Sequence, residues 1–123
     1  MERTFMQAME SRRTFYAIGS KSPVSDDQIE EDIKSAVKHV PSAFNSQSTR
    51  VVLLLGESHK RVWNIAKDIL RKIVPAEAFK GTEEKINNCF LAGYGTVLYF
   101  EDQDVVKGLQ DQLREKLNLD SKL

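Results

Sequence analysis

The stretch RVVLLLG, residues 50–56, indicates the architecture of this chain. Its five consecutive apolar residues, Val51 to Leu55, are typical of a strand that is buried on both faces. Gly56 marks the end of the strand, because glycine commonly interrupts regular structure. A strand of this kind belongs to a sheet that helices cover on both sides, so amphipathic helices are expected around it.

Amphipathic helices are predicted before and after this strand. Upstream, Ser25 followed by Gln28 is typical of a helix start, and Pro41 ends the helix. Downstream, a helix is predicted over about residues 58–74, ended by Pro75. The residues expected to form the buried stripes are Ile29, Ile33, Ala36, Val37 and Val40 in the first helix and Val62, Ala66, Ile69, Leu70 and Ile73 in the second.

Further elements are predicted towards both ends of the chain. A short helix over about residues 3–11 would place Phe5, Met6 and Met9 near one face. TEEKINNCFLAG is a candidate helix, and TVLYFED is a candidate second strand. The last helix, from about residue 104 to 119, has a narrow apolar stripe, which suits packing against a neighbouring helix and favours self-association. That stripe consists of Val106, Leu109, Leu113 and Leu117.

These elements predict an α+β fold in which helices flank a small sheet, although an α/β arrangement fits the same elements. The length of 123 residues predicts one domain, residues 1–123, and we find no repeat or linker that would divide it. Two strands are few for a covered sheet. Either another chain completes the layer, or the helices do most of the packing.

Charge and composition exclude several classes of function. Lys plus Arg and Asp plus Glu both number 18, so no overall field attracts nucleic acid or an anionic membrane. The run VVLLL is too short to span a membrane, and MERTFMQAMES does not resemble a signal peptide. We therefore expect a cytoplasmic protein with no nucleic-acid or membrane partner. Cys89 is the only cysteine and is expected to be a buried packing residue.

No catalytic or metal-binding side chains stand out in the sequence. His39 and His59 lack other ligands at metal-binding spacing, so both are predicted to be solvated and no metal site is proposed. The acidic residues of SDDQIEED and EDQD are expected to be helix-start charges and solvated groups. The aromatic side chains are too dispersed for a nucleic-acid platform and are expected in the core. They are Phe44, Trp63, Phe79, Tyr94, Tyr99 and Phe100.

Two polar stretches are the candidates for ligand binding. SRRT, residues 11–14, combines two guanidinium groups with two hydroxyls, a set that binds phosphate. PSAFNSQS, residues 41–48, contains Asn45 and Gln47, whose amides can recognise the polar edge of a flat ligand. Taken singly, they are also explained as surface arginines and as amides that cap neighbouring backbone. Together they favour a site for a mononucleotide-like cofactor.

SRRTFYAI, PSAFNSQS and FLAGYGTVLYFED, taken in this order, resemble motifs of the nitroreductase family of FMN-dependent, NAD(P)H-using flavoproteins. The resemblance covers about residues 3–106 and is closest to the small bacterial and fungal branch related to the yeast fatty-acid-regulation protein. It implies a mixed sheet flanked by helices and a homodimer that builds two FMN sites between its subunits. The implied reaction is hydride transfer from NAD(P)H through FMN to a small nitroaromatic or quinone-like electron acceptor.

The resemblance also implies which residues bind FMN. Those of SRRTFY would hold the phosphate and the ribityl chain, with a tyrosine where many relatives have an arginine. The polar residues of PSAFNSQS would approach the flavin ring, in part from the partner subunit. The lysine of TEEKIN matches one that lies near the flavin pyrimidine in relatives. The matching positions are Arg12, Arg13, Thr14, Tyr16, Ser42, Asn45, Gln47 and Lys85.

The C-terminal part of the sequence departs from the family pattern. Family members continue well past the strand at TVLYFED, through a long helix at the dimer interface and a further loop against the flavin. This sequence instead runs QLREKLNLDSKL and stops, so we expect the N-terminal part of the family fold, truncated at its C-terminal side. Enzyme activity is left open. The alternative hypothesis is a catalytically silent dimer or interaction module, in which the last helix replaces the lost interface helix.

Overall fold

The structure is a computed structural model that describes residues 2–117. It divides into two compact units: the first contains the described residues up to Lys21 together with Gly56–Tyr94, and the second contains Ser22–Leu55 and the described residues from Gly95 onward. In chain order the elements are α1 (Phe5–Ser11), α2 (Asp26–His39), a 3-10 turn (Ala43–Asn45), β1 (Thr49–Leu55), α3 (Gly56–Ile73), α4 (Ala76–Lys85), a π-helical turn (Ile86–Phe90), β2 (Gly95–Glu101) and α5 (Gln103–Leu117).

The predicted helix boundaries of α2 are confirmed, and their causes are visible in the structure. The Ser25 hydroxyl accepts a hydrogen bond from the Gln28 amide at 3.2 Å, which satisfies one of the donors that a helix start leaves free. The helix ends at His39, just before Val40 and Pro41, because proline disfavours helical angles in the residue before it. Local chemistry therefore sets both ends of this helix.

The second unit contains the sheet, in which β1 pairs antiparallel with β2 from Thr49 opposite Glu101 to Leu55 opposite Gly95. This sheet, accompanied by helices, confirms the α+β prediction. The expectation that β1 is buried on both faces is wrong for this chain. Val51 and Leu53 are half-buried, and Val52 is exposed. The reason is that the sheet has two strands in the described part of the chain, and the elements of its unit cover it incompletely.

The core of the first unit lies where α4 and the π-helical turn pack against α3. Phe79 and Ile86 are its most buried apolar side chains, with 8% and 3% of their surfaces exposed. Trp63 of α3 stacks on Phe90, with 4.8 Å between ring centroids, and such a pair adds to the energy of burial. Aromatic and aliphatic groups from all three elements therefore hold this unit together.

The prediction that His59 is solvated is wrong. Its side chain is 3% exposed, and Nε2 lies 3.2 Å from the carbonyl oxygen of Leu91, within hydrogen-bond distance. A buried imidazole is stable when its polar atoms have partners, and this carbonyl is one of them. The contact joins the start of α3 to a turn far along the sequence. No local pattern predicts a contact of that kind.

Several residues that were expected in the core are exposed. Ile29 and Ile33 of α2 are half-buried, whereas Val40, which follows the helix, lies largely in solvent. The stripe of α3 is also incomplete, because Ile69 and Ile73 at its C-terminal part are exposed. The described elements of each unit are too few to cover every apolar face. The other expected stripe residues are Ala36 and Val37, which are exposed, and Val62, Ala66 and Leu70, which are half-buried.

The aromatic residues follow the same trend. Phe79 is buried as expected, but Phe44, Tyr99 and Phe100 are exposed, because the 3-10 turn and the end of β2 are not covered by other elements of their unit. Cys89, which was expected to be buried, is half-buried.

The last helix, α5, is confirmed up to the end of the described chain. It begins at Gln103, and its predicted residues 118 and 119 lie outside the described residues. Leu109 and Leu113 are half-buried, and Leu117 is 63% exposed. No helix in residues 2–117 is long and apolar enough to cross a membrane.

We predict that alanine has opposite effects at two glycines of the second unit. A Cβ on Gly95 would lie 2.9 Å from the Leu54 carbonyl oxygen, so Gly95→Ala must strain the β1–β2 pair and should lower the free energy of unfolding by about 1–3 kcal/mol. A Cβ on Gly108, inside α5, would meet no atom within 4 Å. Gly108→Ala should therefore raise the free energy of unfolding by about 0.5–1 kcal/mol. Urea unfolding of both variants measures the difference, and equal effects would contradict the strand register.

Candidate functional site

The first candidate cluster is the arginine segment, residues 12–14, which directly follows α1. Arg12 is the C-cap of that helix. Its backbone angles are extended, so the helix ends there and the chain continues away from it. The Arg13 guanidinium donates hydrogen bonds of 2.8 Å to the carbonyl oxygens of Glu10 and Arg12, which are among the acceptors left free at the helix end. Arg12, Arg13 and Thr14 are all exposed. An anion can therefore reach two guanidinium groups and a hydroxyl.

Lys85 belongs to the same unit and is also an exposed positive charge. It is the last residue of α4, and its ammonium nitrogen lies 5.4 Å from the centroid of the Tyr16 ring and 5.9 Å from that of Phe90. Both distances are within the range of cation–π attraction. The structure thus brings Lys85 and Tyr16 together, two residues that the family resemblance singled out separately.

The second candidate cluster is the amide loop, residues 42–47, in the second unit. Its backbone is unusual, because Phe44, Asn45 and Gln47 have φ angles of 54°, 52° and 52°. Phe and Gln seldom adopt such left-handed angles, and each of them costs about 1–2 kcal/mol unless surrounding contacts compensate, whereas Asn tolerates this region better. The Ser42 hydroxyl accepts a hydrogen bond of 3.1 Å from the backbone N–H of Gln47, and this bond closes the loop. The strain fixes how the loop presents its side chains.

The side chains of the loop form one polar edge. The Gln47 side-chain nitrogen, Nε2, donates to the Asn45 side-chain oxygen at 3.2 Å, and this bond orients both side chains. Within the described part of the chain, this bond leaves the Asn45 Nδ2 donor and the Gln47 Oε1 acceptor without a protein partner. A donor next to an acceptor complements a planar ligand whose edge alternates carbonyl and N–H groups.

The amide loop borders a groove of about 700 Å³ that lies entirely within the second unit. Ligand sites in proteins commonly have this size and combine apolar walls with a few polar groups. One wall is the exposed apolar face of α2, and the rim carries the polar loop and the start of β1. The lining residues are Asp32, Ile33, Ala36, Val37, Lys38, Val40, Pro41, Ser42, Asn45, Gln47, Thr49, Arg50 and Tyr99.

A hydrogen bond from the buried Ser48 side chain anchors the C-terminal end of the loop. Ser48 is 2% exposed, and its hydroxyl donates to the carboxylate of Glu101. The Asp102 amide donates to the Ser48 carbonyl at 2.8 Å, and Arg50 forms an ion pair of 2.8 Å with Asp102. Sequence reasoning missed these contacts, because Ser48 and Glu101 are distant in sequence. The pairing register of the two strands is the signal that could have revealed them.

The predicted site residues thus fall into two groups. Arg12, Arg13, Thr14, Tyr16 and Lys85 belong to the first unit, where Tyr16 and Lys85 are in contact. The remaining three belong to the amide loop and line the groove of the second unit. They are Ser42, Asn45 and Gln47. In residues 2–117, no group of three or more His, Cys, Asp or Glu side chains is arranged to hold a metal ion.

Known proteins resemble this chain over most of its length. A family model described as "Nitroreductase family" matches residues 9–119. Nitroreductase FRM2 of Saccharomyces cerevisiae is 34% identical over 109 residues, which make up 86% of this chain and 52% of that protein. The chain therefore spans about half the length of the curated relatives that it matches.

Solved structures give the same result for the fold. Nitroreductase CinD from Lactococcus lactis, solved in complex with 4-nitrophenol, is 39% identical with a TM-score of 0.67 over 89% of this chain and 53% of that one. The crystal structure of a nitroreductase from Saccharomyces cerevisiae is 29% identical, with a TM-score of 0.73 over 90% of this chain and 60% of that one. The fold described above is therefore that of the corresponding part of these proteins.

We predict that the left-handed backbone of the amide loop is strained and that glycine relieves the strain. Phe44 and Phe15 are 74% and 73% exposed, so replacing either by glycine removes little buried surface. Phe44 has a positive φ and Phe15 does not. The Phe44→Gly variant should therefore exceed Phe15→Gly in free energy of unfolding by about 1–2 kcal/mol. Urea unfolding of the two variants is the measurement, and equal stabilities would show that the loop is not strained.

Proposed function

This chain belongs to the nitroreductase family, and we propose that it binds FMN and transfers hydride from NAD(P)H to nitroaromatic or quinone-like acceptors. The observation that carries the proposal is the strained amide loop, whose donor and acceptor border a groove with an apolar wall. Similarity to a nitroreductase that was solved with 4-nitrophenol supports a nitroaromatic acceptor.

The amide loop suits the polar edge of the flavin ring. The pyrimidine part of a flavin alternates carbonyl oxygens with an N–H group, so it needs neighbouring donors and acceptors. Asn45 Nδ2 and Gln47 Oε1 supply one of each, and the Ser42 hydroxyl stands at the other end of the loop. The dimethylbenzene part of the ring is apolar and suits an apolar wall. In our proposal some of these contacts are made across a homodimer, from the partner subunit.

The arginine segment suits the phosphate of FMN. Guanidinium groups bind phosphate through two parallel hydrogen bonds, and the Thr14 hydroxyl can donate to a remaining oxygen. Arg13 donates to backbone carbonyls at the end of α1, so it must exchange these bonds for the phosphate. Arg12 is the C-cap residue and makes no comparable side-chain bond among the described residues. We therefore assign the first phosphate contact to Arg12.

The proposed chemistry needs no acid–base side chain, because solvent water can supply the proton that accompanies each hydride delivered to the acceptor. FMN, when bound, would supply the hydride-transfer chemistry between NAD(P)H and the acceptor. The task of the protein is to bind and orient the cofactor and to provide favourable charges around it. Lys85 is suited to this role, because a positive charge beside the pyrimidine stabilises the negative charge of a reduced flavin. This agrees with the lack of a predicted catalytic residue.

We predict that the two clusters differ in which part of FMN they recognise. Replacing Arg12 and Arg13 together by Ala removes two charge-assisted contacts of about 1.5–3 kcal/mol each, so FMN should bind at least about 100-fold more weakly. Riboflavin, which lacks the phosphate, should bind the intact chain and this variant alike. Titrations that follow flavin fluorescence give the four affinities. Equal losses for both ligands would contradict the phosphate assignment.

The matched control is Asn45→Ala, which changes the amide loop and leaves the arginine segment intact. Because the contact proposed there is to the ring, FMN and riboflavin should weaken by the same factor. A loss confined to FMN would contradict the role of the loop.

A second candidate function is supported by the apolar surface that the described chain leaves exposed. Phe5, Met6 and Met9 of α1, in the first unit, are all more than half exposed, and so is Leu117 of α5, in the second. Exposed apolar surface is common at protein interfaces. In this reading the chain is a catalytically silent dimer or interaction module. Colourless protein that self-associates but takes up no FMN would favour it over the redox function.

We predict that Leu117→Glu disrupts self-association through α5. Leu117 is exposed to solvent in the single chain, so the substitution should leave the fold intact. In a dimer formed through the apolar stripe of α5, it would place a charge in the interface. Light scattering should show the mass fall from a dimer to a monomer. Gln112→Glu adds the same charge at an exposed position of the same helix, away from the apolar stripe, and should leave the mass unchanged. The same mass for both variants would exclude α5 as the interface.

A further inference from the structure

We propose that Tyr16 is a positioning residue: its ring holds the Lys85 ammonium, and it acts on the flavin through Lys85 rather than by contacting the phosphate. The inference rests on the proposed FMN binding. A tyrosine carries no positive charge, so it cannot bind a phosphate as the neighbouring arginines can, and its function requires a different explanation.

The geometry around Lys85 supports this role. Its ammonium lies 5.4 Å from the Tyr16 centroid and 5.9 Å from the Phe90 centroid, so two aromatic rings attract the same charge. Phe90 is itself fixed by stacking on Trp63. A lysine side chain has many accessible rotamers, and ordering it has an entropic cost. Two rings that restrict the rotamers reduce the cost that remains when a ligand binds.

A second contact fixes the Tyr16 side of this arrangement. The Ile18 amide donates to the Tyr16 carbonyl oxygen at 3.0 Å, which forms a tight turn at this point. The Ile18 side chain packs on Gly93, where a Cβ would lie only 2.8 Å from Ile18 Cδ1. The segment that follows the arginines is thus held against the turn that follows Phe90. The segment that carries Tyr16 is therefore held in place by packing, and this keeps the Tyr16 ring beside Lys85.

The test separates the ring of Tyr16 from its hydroxyl. Tyr16→Phe keeps an aromatic face, and Tyr16→Leu removes it. If Tyr16 positions Lys85, Tyr16→Leu should weaken FMN and riboflavin equally, by about two- to fivefold, the range for an exposed cation–π contact. Tyr16→Phe should restore both affinities. Lys85→Met should also weaken both ligands, and adding Tyr16→Leu to it should have little further effect, because the two residues act as one unit.

A measurement without any ligand checks the contact itself. Protons above an aromatic ring resonate upfield, so the Lys85 ε-methylene protons should be shifted upfield in the intact chain and in Tyr16→Phe. In Tyr16→Leu that shift should decrease towards the value of a solvated lysine. A shift that is absent from the intact chain, or unchanged in Tyr16→Leu, overturns the proposal.

The remaining outcomes are distinct. A loss of FMN affinity alone in both Tyr16 variants, with riboflavin unaffected, would show that the Tyr16 hydroxyl contacts the phosphate and would overturn the positioning role. Normal FMN binding by Tyr16→Leu would also overturn it, while leaving the proposed function intact. If the intact chain binds neither flavin, the proposed function fails and the role of Tyr16 towards the flavin fails with it.

Discussion

The pairing of β1 with β2 is the constraint on which the second unit depends. It joins segments that are distant in sequence, and its register places Thr49 opposite Glu101. Ser48 precedes the first of these strands, and Glu101 ends the second, so their hydrogen bond exists only in this register. A shift by one residue would turn each β1 side chain to the other face and remove Ser48 from Glu101. The amide loop is therefore anchored by strand pairing as well as by its own turns.

This anchor explains how a strained loop can persist. Three left-handed residues in a short loop are unfavourable, and such conformations survive where surrounding structure fixes them. Here the loop is closed by Ser42 at one end and held by Ser48 at the other. Strained backbone of this kind is common at ligand sites, because it presents side chains in a fixed orientation. That agrees with a role for the loop in recognising a flat, polar ligand.

Local signals in the sequence predicted much of the fold, and non-local contacts account for the rest. Ser25 and Pro41 determine the ends of α2 through short-range chemistry, so a single sequence is enough to locate them. The burial of His59 and the pairing of Ser48 with Glu101 depend on partners brought close by the fold. The prediction for Val52 of β1 was wrong because an apolar run indicates burial in a sheet that is covered on both faces. The two-stranded sheet of the described chain leaves Val52 exposed.

For the candidate site, the sequence indicated residue types and a family, and the assignment of its residues to FMN stays a prediction. The chemistry of arginines and amides pointed to phosphate and ring recognition, and the order of three motifs pointed to the family, which the comparisons confirm. The left-handed angle at Phe44 carried no signal, since phenylalanine is not a residue that favours it. The sequence likewise did not predict the contact between Tyr16 and Lys85, because this contact requires the segment after α1 to lie beside the end of α4.

The proposed function requires that this chain, about half the length of its curated relatives, binds FMN. The most direct test is the visible absorption spectrum of the purified chain after incubation with excess FMN and removal of the free cofactor. We predict a yellow protein with flavin bands that releases FMN, identified by mass, when it is denatured. A colourless protein that retains its native circular dichroism and releases no FMN would contradict the proposed function.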